Sequence, residues 1–422
     1  MAILSRRKVC CAVACLGLLA AAPPRIGDVR LQAQAAQAPA AANATAAERG
    51  PQELTPQAIQ AAIDALGTVD ATNAGAAFST RMNAARALRR APADAVTPAL
   101  IHAVESHTNS YVRFRALVLL TSFNDPRTAG VVREMATNAN DRLRTVAYGY
   151  YEHHPSSEMI PALLAALGRE DSEFVRPALI RALAAQGSDP RVRETLLREV
   201  GRGQDFFRSG VIEALGDYRA TYALEPLMEI ARLAGPLQID AVIALGKLKD
   251  PRAMETLATL QRTVPRETQP AIAAAICLLG VNCDAHLGFL TDTLKFAVAT
   301  DGFRELLRNT VAGLAALAGA GNVPALTALF DVGIPAIDPP RAPLALGVGT
   351  VAIRNAPLML SFLAKYGKRD AAIDLIAEGF DMLEEDYEEE GFFATVRKGY
   401  WQAAEGSDTR NVGQALINKL EF

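Results

Sequence analysis

From residue 53 onward the apolar positions fall into short blocks at helical spacing. Met159 to Leu167 and Arg191 to Val200 each carry one apolar stripe. A second kind of block places apolar residues three, four and seven positions after an arginine, as in Ala116, Leu117 and Leu120, or Val211, Ile212 and Leu215. The arginines are Arg81, Arg113, Arg144, Arg176 and Arg208, and they step by 32, 31, 32 and 32 residues. Gln238 follows 30 residues later in the same register, and Ala271 to Ala275 continue it loosely. The downstream strings Glu213-Ala214-Leu215-Gly216, Ile243-Ala244-Leu245-Gly246 and Cys277-Leu278-Leu279-Gly280 repeat as well. Their glycines read as helix stops. Asp125-Pro126-Arg127, Asp189-Pro190-Arg191 and Asp250-Pro251-Arg252 read as helix starts, with Asp capping free N–H groups and Pro at the first helical position. Each unit is thus a helix pair, and a pair this small buries its two stripes only by stacking on neighbours. The predicted fold is all-α, an α-α superhelix of stacked helix pairs.

The motifs Val-Arg-x-x-Ala, Ala-Leu-Gly and Asp-Pro-Arg-Ala resemble HEAT-like repeats of the phycobilisome lyase type over residues 53–283, about seven units. The resemblance implies a solenoid that serves as a binding scaffold. It implies no chemistry, because the paired His-Glu dipeptides of the iron-dependent HEAT-like hydroxylases do not occur in this chain. In such repeats arginine–acid pairs bond one repeat to the next, which suggests the same structural role for the ladder Arg81, Arg113, Arg144, Arg176 and Arg208 rather than a cationic stripe for an acidic partner. Residues 284–422 lack the signature but keep helical patterning, and read as degenerate repeats ending in an acidic cap. Within them Asp338 to Arg341 marks a loop, and Gly347-Val348-Gly349 is a glycine pair in a loop or short helix.

The amino-terminal residues change the picture from fold to address. Ser5-Arg6-Arg7-Lys8 precedes the 14-residue apolar run Val9 to Ala22, which suits a bacterial export signal, twin-arginine or Sec, cleaved near Ala33. Residues 1–33 are read as that signal and 34–52 as a flexible Ala/Gln/Pro-rich linker. Cleavage leaves a net charge of −7 and removes Cys10, Cys11 and Cys15. The remaining pair, Cys277 and Cys283, flanks a turn at Gly280 in an oxidising compartment and is expected to form a disulfide. The expected address is periplasmic, with no stable membrane insertion after cleavage.

Charge and composition narrow the partner. With 43 Lys+Arg against 46 Asp+Glu there is no global basic field, so nucleic acid is not expected. Only 6% of residues are aromatic, which argues against a large β-sheet fold. The strongest asymmetry is the acidic run Glu378, Asp381, Glu384, Glu385, Asp386, Glu388, Glu389 and Glu390, in a segment 369–422 of net charge −8, read as a solvated end that a basic partner could use. No catalytic or nucleotide-binding signature is present, and no cofactor or metal is expected.

Candidate binding residues lie on the second helices. Arg115, Val118, Val146, Gly149, Arg181, Glu213, Asp240 and Ile243 are the expected inner-curve positions. The third repeat departs from its neighbours with Tyr148, Tyr150, Tyr151, His153 and His154. Tyr148 and Tyr151 fall on core positions, and His153 and His154 sit at a helix C-terminus, where positive charge is favourable. The chain therefore reads as a non-enzymatic scaffold in the bacterial envelope that binds a protein or peptide along its inner curve. The competing reading is a lyase-like or other enzyme accessory with a pocket at Tyr148–His154.

Overall fold

The computed structural model describes residues 52–123, 125–383 and 386–422. The expected export signal and nearly all of the expected linker lie outside the described residues; Gln52 donates to the Arg90 carbonyl. The described chain is an all-α superhelix of eleven helix pairs, with no strand among these residues. The pairs are α1 Pro56–Ala65 with α2 Ala74–Arg90, α3 Ala93–Ser106 with α4 Ser110–Thr121, α5 Thr128–Met135 with α6 Asp141–His153, and α7 Ile160–Leu167 with α8 Arg176–Ala184. Next come α9 Pro190–Val200 with α10 Asp205–Asp217, α11 Leu224–Arg232 with α12 Gln238–Leu248, and α13 Ala253–Thr263 with α14 Gln269–Leu278. The remainder comprises α15 Cys283–Ala299 with α16 Arg304–Gly319, α17 Val323–Gly333 with α18 Arg341–Arg354, α19 Ala356–Leu363 with α20 Arg369–Leu383, and α21 Asp386–Gln402 with α22 Asp408–Lys419.

First and second helices bury different fractions of their surface. An outer helix such as α9 buries one stripe, Val192, Leu196 and Val200. An inner helix such as α14 is buried at nearly every position because inner helices stack on one another as well as on their own partners. That stacking demands small residues. A Cβ at Gly216 would lie 2.9 Å from the Ala244 Cα, and one at Gly246 would lie 2.6 Å from the Ala275 Cα. Both glycines sit inside helices, so they are packing positions rather than the expected stops. The left-handed turns fall on Arg219 (φ 48°) and Lys249 (φ 55°) instead, while Gly280, at φ 83°, does end its helix region. Of the two expected settings, loop or short helix, Gly349 takes the helical one, inside α18, where it crosses Gly379 of α20 with backbones almost touching.

The arginine ladder fastens each pair internally. Arg81 donates to the Thr68 carbonyl at 2.8 Å, Arg113 to Val104 at 2.7 Å, Arg144 to Asn138 at 2.8 Å, Arg176 to Glu170 at 3.0 Å and Arg208 to Val200 at 2.8 Å. These carbonyls lie at or just beyond the C-terminal end of the first helix, where helix geometry leaves them without intrahelical donors. The expectation of bonds from repeat to repeat therefore holds only in part: Arg144 also reaches Glu170, and Arg176 reaches Glu199 at 3.7 Å. Gln238 makes the same bond to Ala231, and Gln269 to Val264. Beyond the regular repeats Arg341, Arg369 and Arg410 do so too, to Ile334, Leu363 and Tyr400.

Two hydrophobic cores result, one built from residues 59–276 and one from residues 273–422. Cys277 lies in the last turn of α14 and Cys283 opens α15, and their sulfurs are joined, with Cα atoms 4.2 Å apart, where the two cores meet. No single described helix is long and apolar enough to cross a membrane.

Candidate functional site

The acidic run is not solvated throughout: Asp381 is exposed and Glu384 and Glu385 lie outside the described residues, but Asp386, Glu388 and Glu390 are each held by a cation. Asp386 and Glu388 stand in the first turn of α21, where carboxylates favour the helix N-terminus. One side of α21 packs Phe392, Phe393, Val396 and Tyr400 into the second core. The acidic side returns to the inner helices of the first three pairs and closes the solenoid on itself. The acidic segment is distant in sequence from Arg89, Arg115 and His153, and the fold brings them together.

Three ion pairs from α21 make the closure, and Glu421 beyond α22 adds a longer one to Arg86 of α2 at 4.0 Å. Glu390 takes a bidentate bond from Arg89 of α2, 2.9 Å from Nε and 2.7 Å from Nη2, with side chains 3% and 1% exposed. Asp386 pairs with Arg115 of α4, and Glu388 lies 3.0 Å from His153 Nε2 of α6 and 3.5 Å from Arg354 of α18. Between them the Tyr387 ring stacks on His153 and fills a notch at Gly149, where a Cβ would come within 2.8 Å of the ring. Arg397 donates to the Arg89 carbonyl, and burial pulls its guanidinium down to about 10. The hydrogen bond to Glu388 raises His153, outweighing burial, and the Glu388 charge adds to it. Burial pushes the Glu388 carboxyl up, but His153 and Arg354 outweigh it and hold it below its usual range.

A second charged row continues along the inner helices. Arg181 of α8 donates to Glu152 at 2.8 Å and to Asp217 at 2.9 Å, Tyr218 donates its hydroxyl to Glu152 at 2.8 Å, and Lys247 pairs with Asp217 at 2.6 Å. Burial opposes the Arg181 charge, but its carboxylate neighbours outweigh that and raise its pKa. Asp240 is held above the usual carboxylate range by burial, against the opposing bond from Ser209. Glu213 is exposed between these groups.

The structure therefore separates the expected inner-curve residues into two sets. Arg115, Val118, Val146 and Gly149 belong to helices that α21 overlies; Val118, Val146 and Gly149 are buried, and Arg115 keeps part of its surface while pairing with Asp386. Arg181, Glu213, Asp240 and Ile243 retain at least partial exposure. The aromatic cluster of α6 is largely engaged in contacts of its own. Tyr148 and Tyr151 are buried, with the Tyr148 hydroxyl donating to the Ala136 carbonyl, Tyr150 stacks on His154, and Tyr387 stacks on one side of a half-exposed His153. Glu152, His153 and Glu388 do converge with ligand atoms within 4.8 Å of one another. Both carboxylates already face cations, Arg181 and Arg354, which makes the trio an ion-pair network rather than a cage for a metal.

Residues 69–151 match the profile of HEAT repeats, and the described chain as a whole is an all-α superhelix of stacked helix pairs. No curated protein sequence matches it. Among solved structures it is similar to YibA of Escherichia coli, with 17% identity, 54% of this chain and 82% of that one covered, and a TM-score of 0.39. Kap121p bound to RanGTP aligns at 13% identity over 86% of this chain and 45% of its own, with a TM-score of 0.40. Kap121p bound to Nup53p aligns at 14% over 91% and 47%, with a TM-score of 0.41, so the chain spans less than half of Kap121p.

Proposed function

We propose that the protein is a non-catalytic α-solenoid scaffold that binds a protein or peptide along its inner helices. The observation that carries this reading is the row Arg181, Glu213, Asp240 and Lys247 on α8, α10 and α12. It is mixed in charge and at least partly exposed, with Glu213 the most open, and no described helix lies across it as α21 lies on α4 and α6. A row of charges held in register by stacked helices provides specificity for a complementary polar surface. Capture from envelope extract, with partners identified by mass, tests the reading when the parent chain is compared with Glu213→Arg on the inner face and Arg133→Glu on the outer helix α5. Loss of a partner with Glu213→Arg alone supports it. Identical captures from all three chains overturn it.

The address forms part of the proposal. The cationic start and apolar run of residues 5–22 support export to the bacterial envelope, and a Cys277–Cys283 disulfide suits an oxidising compartment. Intact mass of envelope-fraction protein is expected to correspond to a chain beginning just after Ala33 or Ala35. A mass that still includes Met1 to Ala22 overturns cleavage.

A further inference from the structure

We infer that the inner face of the first three helix pairs is an acceptor site for an acidic, tyrosine-bearing helix start, and that α21 occupies it in cis in place of a partner protein's helix. The inference rests on the scaffold reading and names a second surface and the chemistry of its ligand. Four features of the face define the recognition. Arg89, Arg115 and His153 present three cations from α2, α4 and α6, and Gly149 leaves a notch for one ring. The occupant supplies the complement from one stretch, Asp386-Tyr387-Glu388-Glu389-Glu390. Asp386 meets Arg115, Tyr387 enters the notch, Glu388 meets His153 and Glu390 meets Arg89.

The character of this contact sets it apart from the other joints of the solenoid. Within each region neighbouring pairs share one apolar core and at α14 a single helix serves both, but the two hydrophobic cores do not merge across the closure. Tyr387 is the one residue of α21 that packs against the first core. The remaining attachment is ionic and aromatic. Such a contact discriminates by charge and shape and is open to exchange with a ligand of the same pattern. A tethered ligand competes at an effective concentration in the millimolar range, so a partner binds weakly until the cis ligand is weakened. The matching partner is a helix that opens with acidic-Tyr-acidic-x-acidic.

The test uses the full chain and a fluorescent peptide of the sequence 386–402, read by anisotropy. The triple variant Asp386→Asn, Tyr387→Ala, Glu388→Gln weakens the cis ligand and leaves Arg89, Arg115, Gly149 and His153 unchanged. It is expected to bind the peptide at least tenfold more tightly than the parent chain. Adding Gly149→Leu to it is expected to abolish binding, and a peptide of the same composition in scrambled order is expected not to bind. Hydrogen exchange in the parent chain gives an independent reading: excess peptide accelerates exchange in the first turns of α21, and the scrambled peptide does not. Equal peptide affinity for parent and variant, binding insensitive to Gly149→Leu, or unchanged exchange in the parent chain overturns the inference. Binding of the scrambled peptide shows a site for polyanions in general and overturns it as well. Loss of partners by Glu213→Arg is unaffected by any of these results, so the scaffold reading stands or falls separately.

Discussion

The first seven helix pairs and the last four solve one problem with different regularity. In the first region the fastening side chain recurs at near-constant spacing, as arginine and then glutamine, and always reaches a carbonyl at the end of the preceding helix. In the second region Arg341, Arg369 and Arg410 do the same work at separations of 28 and 41 residues. The pair α15–α16 departs furthest, because Asn309 reaches back to the Glu267 carbonyl of the preceding repeat instead. What persists is therefore the physical requirement, a donor for carbonyls that helix geometry leaves open, and the spacing is free to drift with helix length.

The largest expected effect concerns the joint between the regions. Arg89→Ala strands the buried Glu390 carboxylate and is expected to cost about 3–5 kcal/mol in urea unfolding, as removal of one partner from a buried ion pair does. A loss below about 1 kcal/mol shows that the last pair is not held by this bond. The regions themselves are compared by Arg113→Ala and Arg341→Ala, each expected to cost about 1.5–3 kcal/mol as the loss of a charge-assisted hydrogen bond. If Arg341→Ala is neutral while Arg113→Ala is not, the second region lacks the fastening that its geometry suggests.

Packing supplies the next comparison. Gly246→Ala in the first region and Gly379→Ala in the second insert a methyl against backbone at 2.6 and 2.3 Å, and each is expected to lose about 1–3 kcal/mol. Gly391→Ala meets nothing within 4 Å inside α21 and is expected to gain about 0.5–1 kcal/mol. Thermal unfolding midpoints that fail to separate these variants contradict the close approach of the inner helices.

The smallest effect is a pH dependence at the closure. Glu388 raises His153, so this pair contributes fully below the ordinary imidazole value of 6.5 and loses its contribution as pH rises through the raised value. At the acid end the lowered Glu388 carboxyl keeps the pair until pH falls through its own value. The His153 side chain is 46% exposed, so solvent screens most of the gain. The stability gap between the parent chain and His153→Gln should narrow from pH 6 to pH 8, and a gap constant across that range rules out an ionic contact.

The helix pairs were legible because one face of each helix must be apolar and because the arginine register is strict. The glycines misled for an equally physical reason. A glycine near a helix end reads as a stop, and only the distance to the Ala244 or Ala275 backbone reveals a packing role. The closure was illegible because Glu390 lies 301 residues from Arg89, and local patterning carries no information over that separation. A signal was present in complementary form: cations at Arg89, Arg115 and His153 on one face, and carboxylates around a tyrosine at 386–390.

One helix remains to be considered as a wall rather than as a repeat. In α14, Ala271, Ile272, Ala275 and Ile276 face the first core, while Ala273, Ala274, Cys277 and Leu278 face the second. A single residue inserted before Ala271 would turn every later side chain by about 100° and present each core with residues shaped for the other. No rigid shift of the helix satisfies both sides, so this segment tolerates neither insertion nor deletion. It also makes the two halves mechanically answerable to each other, since fraying on one side removes the support against which the other is packed.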